Sequence, residues 1–161
     1  MSNLLPKYAG IVLLASSLSF TSCSTSEQNS TEKKVSAEFD LANISGKSPA
    51  ELEAVFGKGS DNGVWKDAKS GCEACPKINY HSDSVEVIFI DGKSDRITLN
   101  GLSRVAFDDA SILGTLGLPE ASPTFGNADT KRWENYKGYK EISAFGVDGK
   151  VDYVLVESKA N

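Results

Sequence analysis

Apolar and polar positions along the chain fall into two helical patterns, each followed by strand-like alternation. In SGKSPAELEAVFGKG (Ser45 to Gly59), Leu52, Val55 and Phe56 share one face at helical spacing. Ser48 stands at the N-cap, Pro49 at the first helical position and Glu51 three residues after the cap, an arrangement in which side chains satisfy the free amides of the first turn. Gly57 supplies a left-handed stop. Further on, AFDDASILGTLGLPE (Ala106 to Glu120) has the same outline. Asp108 caps it, Ile112, Leu113 and Leu116 form the apolar face, and Gly117 followed by Pro119 ends it. Aligning Ser48 with Asp108 also aligns Leu52 with Ile112, Phe56 with Leu116 and Gly57 with Gly117, all at an offset of 60.

After each predicted helix comes a polar, aromatic-containing connection and then a predicted strand pair. SVEVIFI sets Val85, Val87 and Phe89 against Ser84, Glu86 and Ile88, turns at Asp91-Gly92, and returns with Ile97 and Leu99 on one face. EISAFGV turns at Asp148-Gly149 and returns through KVDYVLV, where alternation puts Val151, Tyr153 and Leu155 on one face. Neither a short amphipathic helix nor an isolated hairpin is stable alone in water. The pattern therefore predicts an α+β, two-layer fold: a tandem repeat of helix followed by antiparallel strands, with the helices packed on one face of a sheet and the other face open. The repeats run over about 44–102 and 103–161, within a single domain spanning 39–161.

The N-terminal region has a different character. Lys7 precedes a 13-residue apolar run from Tyr8 to Phe20, shorter than the ~20 residues that span a bilayer and suited to a secretory leader. SFTSCS resembles a bacterial lipobox, with Phe20 in place of the usual Leu. It predicts a lipoprotein signal peptide over 1–22 and Cys23 as the acylated first residue of the mature chain, anchored to a membrane by its lipid chains. Cleavage without lipidation, giving a secreted protein, is the simpler alternative. Ser24, where Asp would act as an inner-membrane retention signal, resembles the outer-membrane sorting pattern. Residues 23–38, rich in Ser, Thr, Glu, Gln and Lys, read as a flexible tether.

The mature chain would hold 16 Lys+Arg against 22 Asp+Glu, a formal charge of −6. With no basic cluster, nucleic acid is a poor candidate partner. Once Cys23 is assigned to the lipid, Cys72 and Cys75 are left as a close pair, which outside the cytoplasm is expected to form a disulfide. The loop CEAC is so short that the bond shapes a loop more than it holds a fold.

The same pair supports a competing reading as a thiol-disulfide oxidoreductase, because two thiols at this spacing lower the thiolate pKa in redox enzymes. Such a site needs a helix N-terminus beside its first Cys, whereas KINY after Pro76 reads as extended. Pro76 also stands where haem attachment needs His. His81 is the only histidine, which leaves a zinc site short of ligands and a nucleophile short of a base. Leu41 stands where a phosphate loop before Gly46-Lys47-Ser48 needs Gly. No cofactor, metal or catalysis is expected.

The most suggestive binding feature is RWENYKGYK, where Arg132, Trp133, Tyr136 and Tyr139 are of the residue types that dominate interface energetics. One or two of these rings filling space between helix and sheet is the competing expectation, with Trp133 the most buried.

GKSPAELEAVFG resembles the opening motif of the small lipoproteins of the outer-membrane β-barrel assembly machine, the SmpA/OmlA or BamE-like type. The related β-lactamase inhibitory proteins carry the same unit in tandem. Lys47 replaces the usual Met, and Gly59 stands where Pro is common. Trp133 and Tyr136 lie one residue too far apart for the family's later signature, and VIFIDGKSDRI and SAFGVDGKVDYV resemble its closing hairpin. The resemblance covers most of 44–156. It implies a non-enzymatic module at the cell envelope that works by contacting an envelope or secreted protein, without naming that protein.

Overall fold

The computed structural model describes residues 37–159. The expected leader, Cys23 and the tether up to residue 36 lie outside the described residues.

Among the described residues there are two α-helices, α1 (Pro49–Phe56) and α2 (Asp109–Thr115), and eight strands. The strands are β1 (Ser60–Asp67), β2 (Cys72–Tyr80), β3 (Val85–Ile90), β4 (Lys93–Leu99), β5 (Phe125–Gly126), β6 (Thr130–Glu134), β7 (Tyr139–Val147) and β8 (Lys150–Ser158). Every pairing is antiparallel, and the strands form one sheet in the order β1-β2-β3-β4-β8-β7-β6-β5.

This corrects the expected two-layer, tandem α+β arrangement. The fold is sheet-dominated, and its helices are only 8 and 7 residues long. The stretches read as polar connections are strands as well. β1 and β5 are the sheet edges, with exposed side chains along most of their length, so neither carries the alternation by which a half-buried strand is recognised.

Local signals act where the sequence places them. Ser48 Oγ accepts from the Glu51 amide while the Glu51 carboxylate accepts from the Ser48 amide at 2.8 Å. Asp108 accepts from the Ser111 amide at 2.8 Å. At both Asp-Gly hairpins the two central residues have positive φ: 51° and 74° at Asp91-Gly92, and 52° and 71° at Asp148-Gly149. That is the type I′ geometry whose twist matches the flanking strands.

One continuous core lies on one side of the sheet. Leu52 of α1 and Ile112 and Leu113 of α2 join Val85, Val87 and Phe89 of β3, Ile97 and Leu99 of β4, and Val154 and Val156 of β8. Val55, expected on the apolar face of α1, is instead 53 % exposed. Phe39, Leu41 and Ile44 of the lead-in segment are also buried here, and the Phe39 and Leu41 amides donate to the carbonyls of Thr115 and Leu116 at the end of α2. A small hydroxyl network ties this segment to the sheet. Ser94 Oγ donates to the Ile44 carbonyl and accepts from the Lys47 amide, while Ser45 and Ser158 share a hydrogen bond.

Bulges decide which side chains leave the core. Phe145 pairs with Tyr153, but Gly146 pairs with Val151, so β8 carries one extra residue at Asp152. Val151 is therefore buried, while Tyr153 and Leu155 point to the other face, against the strict alternation expected for KVDYVLV.

Candidate functional site

The face of the sheet opposite the core carries the partly exposed side chains of Leu155, Phe145 and Tyr153. Its centre is Leu155 on β8, flanked by its cross-strand partners Thr98 on β4 and Ser143 on β7. Leu155 is 40 % exposed and lies on one of the two central strands. Ile88, Arg96, Thr98, Glu141, Leu155 and Glu157 together line a shallow depression. To one side Phe145 stacks on Tyr153, with ring centroids 4.6 Å apart.

A row of charges crosses the same face. Glu141 and Glu157 are direct cross-strand partners, which alone would be repulsive, and each is countered from its outer side. Glu157 accepts from Arg96 Nη2 at 3.1 Å and from Lys140 Nζ at 2.6 Å. Glu141 accepts from Ser143 Oγ at 2.7 Å and faces Arg132 Nε at 3.3 Å, and that nitrogen also donates to Ser143 Oγ at 3.1 Å. These pairs are partly exposed, so they organise the face more than they stabilise it. Next to Arg96, the Asp95 carboxyl is held above its usual range by burial, against the opposing pull of the Arg96 charge.

Toward β1 the row ends on an aromatic ring. Arg96 lies over Trp65, which packs with Ile90 against a small cluster of Cys72, Cys75 and Ile88 separate from the main core. Cys72 and Cys75 are disulfide-bonded. Both are buried within β2. His81, with its ring 6.2 Å from that of Phe56, is an exposed residue of the turn after β2. Among the described residues no group of three or more His, Cys, Asp or Glu comes together to hold a metal ion.

The four residues expected at an interface divide between the two faces. Trp133 is fully buried, and its Nε1 donates to the Ala121 carbonyl at 2.9 Å. Tyr139 is buried in the same core, which raises its hydroxyl pKa. Tyr136 packs against the core and donates to the Pro119 carbonyl at 2.7 Å, with burial again raising its pKa. Only Arg132 reaches the open face. The burial order agrees with the expectation that Trp133 is the most enclosed of the three rings.

Trp65, Arg96, Phe145, Tyr153 and Leu155 do not stand out as a group in the sequence. Cross-strand pairing brings them together from strands far apart in sequence, and no local spacing signals that. Against this chain no family model, no curated protein and no solved structure gives a match.

Proposed function

We propose that the protein is a lipid-anchored protein of a Gram-negative-type cell envelope, held through Cys23 at the outer membrane and facing the periplasm, whose sheet-dominated domain binds a protein partner without catalysing a reaction. The observation that carries this reading is the open face: an exposed Leu155 at the middle of the sheet, flanked by stacked Phe145 and Tyr153 on one side and Arg96 over Trp65 on the other. Large apolar area with aromatic and arginine groups near the centre, ringed by polar side chains, is the composition that supports protein–protein binding hot spots. The BamE-like resemblance and the lipobox-like SFTSCS support the envelope setting, and of the two only the resemblance bears on action by contact.

The test is affinity capture from native membranes with three full-length chains: wild type, Leu155→Asp, and Tyr136→Ala as a change on the core side. The reading predicts a partner recovered by wild type and Tyr136→Ala and lost with Leu155→Asp while the domain stays folded. Equal recovery by all three would overturn it. Fractionation of a Cys23→Ser chain tests the anchor, with release from the membrane expected.

A further inference from the structure

The pairing of β1 with β2 is irregular where the disulfide lies. Trp65 opposes Cys75, but Asp67, two residues on, opposes Cys72, three residues back, so β2 holds one extra residue between its two cysteines. In a straight strand, Cα atoms three residues apart lie about 10 Å from each other. Those of Cys72 and Cys75 are 5.7 Å apart, so the bond spans the bulge and keeps the strand drawn in. The two buried half-cystines and Ile88 form the floor on which Trp65 rests, and Trp65 in turn carries the Arg96 guanidinium at 4.8 Å from the ring centroid. Arg96 reaches Glu157 and lines the depression around Leu155. A contiguous set of contacts thus runs from the disulfide to the centre of the open face.

We infer that the Cys72–Cys75 bond is a redox lock on the open face, fixing Trp65 beneath Arg96 only while it is oxidised. The release step is dithiol exchange. A thiolate of a dithiol reductant attacks one sulfur, breaking the S–S bond and forming a mixed disulfide, and its second thiol then displaces the bound cysteine. The reductant leaves as its own disulfide, having given up two electrons and two protons, and Cys72 and Cys75 become thiols. Free of the bond, the bulge relaxes, Trp65 loses its floor and Arg96 loses the ring beneath it. The effect on partner binding rests on the proposed function; the movement of Trp65 does not.

Tryptophan fluorescence of the full-length chain in detergent, oxidised, reduced with a phosphine and reoxidised, tests the lock. Of the two tryptophans, Trp133 is buried in the main core and serves as the internal reference. The lock predicts a red shift and greater acrylamide quenching on reduction, reversed by reoxidation, absent in Trp65→Phe, and reproduced by the double variant Cys72→Ser/Cys75→Ser without reductant. Complete reduction, confirmed by thiol counting, with emission and quenching unchanged would overturn it. So would an equal change in Trp65→Phe, because the signal would then come from Trp133 and general loosening. If Trp65 moves and partner capture is unaffected, the lock stands and the open face loses its assigned role.

Discussion

Arg96 of β4 lies with its guanidinium carbon 4.8 Å from the centre of the Trp65 ring on β1, reaching across the two strands between them. Its Nη2 meets Glu157 on β8 at 3.1 Å, while its Nε makes no hydrogen bond. A single side chain therefore ties the edge of the sheet to its centre. Arg96→Ala removes a cation–π contact of about 0.5–1 kcal/mol and an ion pair worth a similar amount at a partly exposed site. Urea unfolding should show a loss of about 1–2 kcal/mol, with Trp65 emission shifted to the red in the folded variant. An unchanged emission would mean the ring is held without the arginine.

Ser94 is buried with its hydroxyl used in both directions, toward the Ile44 carbonyl and from the Lys47 amide. Ser94→Ala leaves those two backbone groups without their partner, at a cost of about 1–3 kcal/mol in denaturant unfolding. Ser45→Ala, which removes a half-buried hydroxyl bonded to Ser158, should cost less.

Gly146 sits under an aromatic ring. A Cβ added there would lie 2.5 Å from Cδ2 of Phe107, so the ring must move for any larger residue to fit. Gly146→Ala is expected to destabilise by about 1–3 kcal/mol. Phe107→Leu should relieve much of that strain, so the double variant would fall short of the sum of the single effects. Strict additivity would show that the two positions do not share the same space.

The capping box gives a pH signature with a definite sign. Hydrogen bonds from the Ser48 backbone and side chain, with smaller help from Lys93 and Lys47, lower the Glu51 pKa from 4.5 to about 2. Because the folded value lies below the unfolded one, the carboxylate's contribution is fully present above about 4.5 and fades as pH falls toward about 2. The stability difference between wild type and Glu51→Gln should therefore be constant near neutrality and shrink across that acidic window. A difference that stays level from pH 6 to pH 2 would contradict this assignment.

The features legible in the sequence are those fixed by neighbouring residues. Ser48 with Glu51, Asp108, and the two Asp-Gly turns are local chemistry, and each sits where its residue types require. The width of the sheet was not legible. β1 (SDNGVWKD) has two apolar residues in eight and reads as a loop because an edge strand presents most of its side chains to water. Face assignment failed for a related reason. A one-residue bulge at Asp152 reverses every side chain beyond it, and only the pairing of β8 with β7 reveals that bulge. Trp133 and Arg132 are neighbours in sequence and point to opposite faces, so the aromatic composition of RWENYKGYK could not say which of its residues meet a partner.

The open face, centred on Leu155, is the surface proposed to meet another protein. The most direct test is a photo-crosslinking amino acid placed at Leu155 in the full-length, membrane-anchored chain, compared with the same probe at Val55, which is 53 % exposed on α1. A discrete adduct is expected from position 155 that disappears when Arg96→Glu is added, and none from position 55. Adducts of equal yield from both positions, or an adduct from position 55 alone, would contradict it.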